Sequence, residues 1–319
     1  MNHYFPSRIM VSKKLFWEYF MTNFYDTSDI PCFGVAGNFT GHLEQAGEAV
    51  DFKNIKTNDQ NAPKAIFPTF IPLKKAARQN DMGQKAVVQK ETLVVPDYLT
   101  NYPFNSQKII FPKNEIKLQI EPECAIIFNA SWQGEKLVAL KPICFGASND
   151  CSIRKQGAKK ISEKKNWGAC SKGFSENQIV ADGFEKGCIL DDYRIASFLI
   201  RDNKVFAYGE NSAIRDYSYI YKKLTDWMLE KFNNQKDEGP AENIHSYLLA
   251  AGRPQQIMVS IGATRYTNWG ENNFLQNKDK ALVLVYPESK YTPEQIFKMA
   301  ESGDFTDPAI SALVQTVEM

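Results

Sequence analysis

The sequence has little of what builds zinc and redox sites. Only three histidines occur in the 319-residue chain, and its six cysteines are scattered without a Cys-x-x-Cys pair. Zinc-finger-like sites and thioredoxin-like redox motifs depend on such closely spaced cysteines. The pattern therefore excludes these two site classes and predicts free thiols in a reducing compartment.

The chain also lacks a net charge and a long apolar run. Lysine and arginine number 38, aspartate and glutamate number 37, and the formal charge is +1, so no global field attracts nucleic acid or an anionic membrane. Residues 1–20 contain no apolar stretch of signal-peptide length, and no later segment offers the roughly 18 uncharged apolar residues that cross a bilayer. We expect a cytoplasmic protein with no membrane partner.

Apolar residues are plentiful, at 43% with 21 phenylalanines and 14 tyrosines, which is enough for a sizeable core. Many short segments rich in β-branched and aromatic residues predict strands, and few segments have helical spacing. The predicted strands are Cys32–Ala36, Ile109–Phe111, Ile116–Phe128, Leu137–Phe145, Arg194–Ile200, Val205–Tyr208, Gln256–Ile261 and Ala281–Tyr286. The predicted helices are Lys13–Phe24, His42–Ala49 and Tyr219–Phe232. This pattern indicates a mixed α+β fold built around a rolled sheet.

We predict one large domain, residues 31–319, preceded by an N-terminal helical arm, residues 1–30. A charged stretch without periodicity predicts an exposed insertion near residues 74–105. Six basic residues between Arg154 and Lys165, interrupted by Glu163, indicate a solvated lid near residues 154–172. Contact with nucleic acid is the less favoured interpretation of this stretch, because no aromatic residues interleave with the lysines.

The acidic residues that suggest chemistry lie in two groups. Glu121 and Glu123 fall two positions apart in a predicted strand, so both carboxylates point to one face, and Asp150 follows the next strand. Burying such a pair raises at least one pKa unless a cation offsets the charge. Hard oxygen ligands suit Mg²⁺ or Mn²⁺, with Ca²⁺ as a further possibility. The alternative is that the two glutamates lie on a solvated face and Asp150 only forms a turn.

Five segments in chain order carry a resemblance. They are Gly-Asn-Phe-Thr-Gly-His at 37–42, Glu-Pro-Glu-Cys-Ala-Ile-Ile at 121–127, Ser-Asn-Asp-Cys-Ser-Ile-Arg at 148–154, Ser-Lys-Gly-Phe at 171–174 and Gly-Ala-Thr at 262–264. Together they resemble the fumarylacetoacetate hydrolase superfamily. In that superfamily the corresponding motifs are a Gly-x-Asn-Tyr-x-x-His turn, a Glu-x-Glu strand, an Asn-Asp-x-Ser-x-Arg segment, a Lys-Gly-Phe element and a Gly-Thr-Pro turn.

The resemblance implies a mixed β-roll, a homodimer and a divalent cation held by Glu121, Glu123 and Asp150. It also implies a metal-dependent hydrolase or lyase that acts on a small 2-keto or 1,3-diketo carboxylic acid. The reaction would be hydrolysis of a C–C bond, decarboxylation or isomerisation through a metal-bound enolate. The physics agrees, because a cation chelated by keto and carboxylate oxygens stabilises an enolate.

The resemblance also implies roles for individual residues. His42 would act as the general base, since the ordinary histidine pKa lies near the working pH. Lys172 would neutralise the substrate carboxylate or a developing oxyanion, while Thr264 and Asn38 would contact the substrate. Arg154 would either bind a substrate carboxylate through its guanidinium fork or form a structural ion pair.

The sequence departs from the family pattern near the histidine. Gln45 stands where many relatives have a glutamate, and an amide can orient the imidazole or a water but cannot take a proton. Glu48 or another acid serves the histidine instead, or the turn is distorted, or water activation is weakened. Val35 stands where some relatives have a further acidic ligand. Two alternatives to an enzyme follow: a non-catalytic protein that binds a metal and a carboxylate, and an RNA-associated protein that uses the basic stretch.

Overall fold

The computed structural model describes residues 25–53, 55, 57, 59–73, 95–155 and 157–319. The predicted helix Lys13–Phe24 lies outside these residues, as does most of the predicted arm. Residues 74–94 of the predicted insertion also lie outside them. The structure therefore leaves both predictions untested.

The described residues form fourteen strands and five α-helices. The strands are β1 (Cys32–Ala36), β2 (Ala65–Phe70), β3 (Lys108–Ile110), β4 (Leu118–Gln119), β5 (Pro122–Gln133), β6 (Lys136–Asn149), β7 (Ser152–Ile153), β8 (Gly173–Phe174), β9 (Ile179–Val180), β10 (Tyr193–Arg201), β11 (Lys204–Ala213), β12 (Gln256–Ser260), β13 (Lys280–Pro287) and β14 (Ser311–Glu318). The α-helices are α1 (His42–Gln45), α2 (Tyr221–Asn234), α3 (Ile244–Ala250), α4 (Asn268–Asn272) and α5 (Pro293–Ser302), and short 3-10 turns occur at Asp97–Thr100, Ile161–Lys164, Ile189–Asp192 and Ile214–Asp216. Strands thus dominate, and the predicted α+β class is confirmed.

The strands build two main sheets that mix parallel and antiparallel neighbours. The first has the order β2-β1-β12-β5-β6-β8, with β9 also paired to β6, and the second has the order β11-β10-β13-β14-β3. In the first sheet β1 and β12 are parallel while the other main pairs are antiparallel. A separate pair, β4 and β7, lies off both sheets.

The β5–β6 hairpin is the central element of the first sheet. Along β5, Cys124, Ile126 and Phe128 enter the main core, and Ala125 and Ile127 enter a second cluster on the opposite face. The strand is therefore buried on both sides at the end where it begins, whereas its later residues reach the surface at the hairpin turn. Polar groups at the start of β5 consequently lie deep inside the protein.

The main core lies between the two sheets and beneath α2. It combines Phe145 of the first sheet with Tyr193 of the second, whose rings meet edge to face at 4.9 Å. Helix α2 adds Leu224, Met228 and Phe232 at helical spacing. Helix α5 covers the opposite face of the second sheet. No helix in the described part of the chain is long and apolar enough to span a bilayer.

Most predicted strands and the helix Tyr219–Phe232 are confirmed to within a few residues. The predicted helix His42–Ala49 is wrong beyond Gln45, because α1 ends there and the following N–H groups turn back to Leu43. The predicted strand Ile116–Phe128 is interrupted before Pro122, so Glu121 lies outside β5. Strands β2 and β14 and helix α5 were not among the predicted elements.

A buried carboxylate and lysine cluster as candidate active site

The two acidic groups meet because the start of β5 pairs with the end of β6. Pro122 lies opposite Asn149 in this antiparallel pair, which places Glu121, Glu123 and Asp150 side by side. The backbone N–H of Asp150 donates to the carbonyl of Glu121 at 3.0 Å. The three acidic side chains are buried, and each offers an oxygen within 4.8 Å of the others. The predicted convergence of these carboxylates is therefore what the structure shows.

Three basic side chains balance this cluster. Lys165 Nζ lies 2.6 Å from Glu121 Oε2 and 2.8 Å from Asp150 Oδ2, so one ammonium bridges both groups of carboxylates. Lys172 Nζ lies 3.1 Å from the other oxygen of Asp150. Arg154 Nη2 lies 2.8 Å from Glu121 Oε1. Although burial opposes the charged form, Lys165 and Arg154 hold the pKa of Glu121 well below its usual range.

Glu123 is the exception in the cluster. Among the described residues it has no ion pair, and its Oε2 accepts the backbone N–H of Gly262 at 2.9 Å. Burial, followed by the neighbouring charges of Asp150 and Glu121, raises the pKa of Glu123 well above its usual range. The two carboxyl oxygens of Glu123 are thus the place in the cluster where a further positive charge is best accommodated.

Arg154 joins the cluster to its surroundings through every part of its guanidinium. Nη1 contacts Glu48 Oε1 at 2.8 Å, Nη2 donates to the Tyr266 hydroxyl at 2.7 Å, and Nε donates to Gln119 Oε1 at 2.7 Å. These contacts and the ion pair with Glu121 engage the whole fork. Of the two roles predicted for Arg154, the geometry favours the structural ion pair.

The basic stretch is not a solvated lid at its second half, and that prediction is wrong for Lys164 and Lys165. Both side chains are buried, at 3% and 2% exposure. Lys164 pairs with Glu48 at 3.0 Å and with Asp51 at 3.1 Å. Two of the charges on which an RNA-binding surface would depend therefore face the interior.

His42 borders the same site. Gly41, with φ +87°, forms the left-handed turn that starts α1, and this helix carries the imidazole into the interior. The side chain is buried, and Nδ1 has no hydrogen-bond partner among the described residues. Burial lowers the pKa of His42, and Glu121 and Glu48 oppose this only in part. The imidazole is consequently neutral and able to accept a proton.

A small cavity connects His42 to the carboxylates. His42, Glu48, Glu121, Glu123 and Lys165 contribute to its lining, together with apolar side chains. Its volume is about 10 Å³, which is room for about one water molecule. The cavity brings a base, carboxylates and an ammonium within one enclosure.

Lys172 lies at the back of the carboxylate cluster. It donates to the carbonyl of Cys151 besides pairing with Asp150, and its Nζ lies 5.2 Å from the centre of the Trp167 ring. Burial lowers the pKa of Lys172, and the charge of Lys165 adds to this while Asp150 opposes it. The predicted position of this lysine beside the acidic residues is confirmed, and its role stays a prediction.

The remaining predicted residues lie around the site but have other partners. Gln45 is paired with the backbone of Tyr266, accepting its N–H at 2.8 Å and donating to its carbonyl at 3.2 Å. Asn38 donates to the carbonyls of Tyr219 and Ile261 and accepts the N–H of Tyr219. These bonds give the Gln45 and Asn38 side chains a structural role, and their predicted contacts with substrate stay predictions.

Thr264 differs from these two residues. It is fully buried, and its Oγ1 has no hydrogen-bond partner among the described residues. Its backbone N–H donates to the carbonyl of Pro122, beside the two glutamates. The hydroxyl is thus free for a ligand, as predicted for substrate binding, although no structural observation tests that role.

Sequence reasoning missed Lys165 and Tyr266 and named Glu48 only as a possible partner of the histidine. Runs of lysine are usually solvated, so the Lys164-Lys165 pair has no sequence signal for burial. Tyr266 follows the Gly-Ala-Thr segment by two positions, and its proximity to that segment was the only available signal. Glu48 reaches the site, but its partners are Arg154 and Lys164 rather than the imidazole.

Comparison with known proteins gives one family and several distant structures. The model of a family described as "Family of unknown function (DUF5718)" matches residues 48–317. No curated protein matches the chain. Among solved structures, a 2-keto-3-deoxy-D-arabinonate dehydratase complexed with magnesium and 2,5-dioxopentanoate is similar at 12% identity and a TM-score of 0.49, over 95% of this chain and 80% of that one.

Two isomerases are also among the similar structures. A 5-carboxymethyl-2-hydroxymuconate delta-isomerase from Mycobacterium smegmatis has 12% identity and a TM-score of 0.44, over 90% of this chain and 78% of that one. A 2-hydroxyhepta-2,4-diene-1,7-dioate isomerase from Mycobacterium marinum has 10% identity and a TM-score of 0.44, over 90% of this chain and 74% of that one.

Proposed function

The chain belongs to the DUF5718 family, whose function is unknown, and we propose from its buried site that it is a metal-dependent enzyme acting on a small 2-keto or 1,3-diketo carboxylic acid. The proposal places it in a branch of the fumarylacetoacetate hydrolase superfamily, as the sequence motifs suggest. Its reaction would be C–C hydrolysis, decarboxylation or isomerisation. A homodimer, which the same resemblance implies, forms part of the proposal.

One observation carries this proposal: three carboxylates, at the start of β5 and just after the end of β6, converge in the interior beside a neutral histidine. The bridging ammonium of Lys165 between Glu121 and Asp150 is a stand-in that indicates how well a positive centre is accommodated there. Glu123, which has no ion pair among the described residues, would supply a third oxygen ligand. Oxygen-only ligands favour Mg²⁺ or Mn²⁺ over zinc. The donor set therefore fits the cation that the motifs suggest.

The proposed division of labour follows the geometry. When bound, the cation would polarise the keto group of the substrate and offset the negative charge of an enolate. His42, neutral and bordering the cavity, would take the proton from a water or a substrate carbon. Lys172 would hold Asp150 in place and add positive charge next to the reacting carboxylate. Thr264, whose hydroxyl has no hydrogen-bond partner in the described part of the chain, would bind a polar substrate atom.

Substitution of Glu123 by glutamine gives the sharpest test of the metal site. This carboxyl forms no ion pair with any described residue, and a glutamine carbonyl can still accept the N–H of Gly262, so the fold should stay intact. We expect Glu123→Gln to weaken Mn²⁺ binding by at least roughly 10- to 100-fold, because changing even a residue that only supports a metal ligand typically costs that much. Isothermal titration calorimetry measures the affinity, and thermal melting without metal controls for folding. Unchanged Mn²⁺ affinity would remove Glu123 from the ligand set.

Activity is tested with Mn²⁺ and a panel of acylpyruvates and oxaloacetate. The wild type should convert at least one of them, and His42→Asn should lose turnover while it binds Mn²⁺ normally, because the histidine borders the site without joining the ligands. Full turnover by His42→Asn would exclude His42 as the base. Light scattering of the wild type in solution tests the proposed homodimer.

A second candidate function has one specific observation in its favour. Gln45 is bonded to the backbone of Tyr266, and no carboxylate of the described residues is hydrogen-bonded to His42 to increase its basicity. A protein that binds a metal and a carboxylate without turnover matches this arrangement. Calorimetric binding of panel compounds in the presence of Mn²⁺, with no product formed from any of them, would favour this candidate over the enzyme.

A further inference from the structure

Lys165 occupies the position in which the acidic cluster would hold a cation. Its ammonium contacts Glu121 at 2.6 Å and Asp150 at 2.8 Å, two residues that lie just before β5 and just after β6, at the open end of the hairpin. The side chain is 2% exposed, and its Nζ lies 5.0 Å from the centre of the Phe67 ring. Nothing in the motifs that resemble the superfamily assigns a role to this residue.

We propose that Lys165 is an internal counter-ion that a divalent cation must displace from the carboxylates. This inference rests on the proposed function, because it concerns the same metal site. An ammonium and a divalent cation cannot both lie between Glu121 and Asp150, since two positive centres at one oxygen pair repel strongly in a buried site. Binding of the metal and release of Lys165 are therefore the same event.

The size of the cavity supports this exchange. The space beside His42 holds about one water molecule, so a keto acid has no room while Lys165 is in place. Ile161 and Lys165 both line the cavity, and they lie at the beginning and immediately after the end of the short 3-10 turn Ile161–Lys164. Outward movement of this turn would remove the ammonium from the carboxylates and enlarge the cavity together. Metal binding thereby opens the site to its substrate.

Lys164 provides a matched control. It is the adjacent residue, equally buried and equally charged, but it pairs with Glu48 and Asp51 instead of the acidic cluster. A general effect of local positive charge would appear in both lysine variants. An effect of occupying the metal position would appear only when Lys165 is changed.

The experiment compares wild type, Lys165→Met and Lys164→Met by calorimetric titration with Mn²⁺. We expect Lys165→Met to bind Mn²⁺ at least about tenfold more tightly than wild type, because the competing charge is gone. Lys164→Met should stay within about threefold of wild type, since it removes a charge only from outside the carboxylate pair. Equal affinities of all three proteins would overturn the inference while leaving the metal site intact.

A second measurement uses the wild type alone and remains decisive if Lys165→Met does not fold. Lysine acetylation by acetic anhydride is followed by mass spectrometry with and without saturating Mn²⁺. Lys165 should be protected without metal and acetylated with metal, whereas protection in both states would contradict its displacement. The two measurements also distinguish a failure of the inference about Lys165 from a failure of the proposed function. Mn²⁺ binding to Lys165→Met but not to wild type would support the inference and argue against the enzyme, and binding to neither protein would overturn both.

Discussion

Glu242 carries a buried carboxyl that lies outside the acidic cluster. It is 1% exposed, and its side chain accepts a hydrogen bond from the Tyr247 hydroxyl at a long 3.4 Å. Burial raises its pKa to about 7, and nearby Ser162 and Lys160 offset this only in part. Ser162 belongs to the 3-10 turn that leads to Lys165. The Glu242 carboxyl therefore changes its protonation state near pH 7, and it lies close to the turn that leads to Lys165.

The raised pKa of Glu242 predicts how stability depends on pH. The folded protein binds a proton that the unfolded chain releases above pH 4.5, so the contribution of Glu242 to stability falls as pH rises from about 4.5 to about 7. The total loss is about 3 kcal/mol, from the constant that relates pKa to free energy. Glu242→Gln should lack this loss, and urea unfolding of both proteins at pH 5 and pH 8 measures the difference.

A control variant removes an exposed glutamate by the same chemistry. Glu301→Gln, in α5, should follow the wild-type pH profile, because its carboxyl lies at the surface. Identical profiles for Glu242→Gln and wild type would show that Glu242 is ionised at neutral pH in the folded protein.

At the scale of single residues, the sequence predicted which acids converge and placed Lys172 and Arg154 near them, but it did not predict Lys165. The convergence of Glu121, Glu123 and Asp150 could be predicted because strand alternation and the order of the strands indicate where carboxylates emerge. The burial of Lys165 could not be predicted, since it results from a non-periodic segment that packs only in the complete fold. Gln45 was correctly recognised as unusual, but its pairing with the backbone of Tyr266 depends on a contact between distant parts of the chain.

Helix α4 shows how a short element supports the site from a distance. A Cβ atom on Gly270 would lie 2.0 Å from the carbonyl oxygen of Tyr208, so the helix approaches β11 as closely as a glycine allows. The carbonyl of Gly270 also accepts a hydrogen bond from Gln119 at 3.0 Å, and Gln119 in turn accepts from Arg154. A shift of α4 would therefore move Gln119 and, through Gln119, the Arg154 guanidinium that pairs with Glu121.

Substitution of Gly270 by alanine should force α4 away from β11. Because the obstructing atom is backbone, neither side can yield cheaply, and we expect a destabilisation of about 3 kcal/mol, at the upper end for overpacking. Asn268→Ala, on an exposed position of the same helix, is the matched control and should change stability little. Chemical denaturation of the two variants measures both effects, and equal stabilities would show that α4 can shift freely.

At the scale of elements, strands and helices with a regular apolar pattern were predicted from the sequence, and those with an interrupted pattern were not. Strand β1 was predicted at its true bounds, and α2 to within two residues, because each has an undisturbed apolar pattern. Strand β2 contains Pro68 and was therefore not predicted, although it is an edge strand, where proline is tolerated. Helix α1 was predicted too long, because the pattern after Gln45 reflects a turn that packs on Leu43.

Strand β14 carries a buried side chain, Gln315, whose hydrogen bonds link several parts of the molecule. This fully buried side chain accepts from Asn149 Nδ2 at 2.9 Å and donates to the carbonyls of Asn105, Lys108 and Lys172. Asn149 Oδ1 then accepts the backbone N–H of Glu121 at 3.1 Å. One glutamine thus connects the second sheet to the first and to the backbone of the acidic cluster.

Replacement of Gln315 by leucine should disturb stability and the metal site together. The apolar side chain leaves buried carbonyls and an amide without partners, at a cost of roughly 3 kcal/mol or more. Glu121 loses part of its support through Asn149, so Mn²⁺ affinity should also fall. Val314→Ala, the exposed neighbour on the same strand, should change neither quantity appreciably. Denaturation and calorimetry on both variants test this, and a fully stable Gln315→Leu protein would refute the linking role.

The contacts of β14 also have a consequence for the order in which the protein is made. Ser311 accepts the backbone N–H of Ala147, and Gln315 bonds Asn149, so a strand made well after β5 and β6 supports the hairpin that carries the acidic residues. A nascent chain that has left the ribosome only as far as Ser302 already holds Glu121, Glu123, Asp150 and both lysines. It still lacks the strand that keeps them in register. Synthesis must therefore have passed β14 before the acidic residues are held in register.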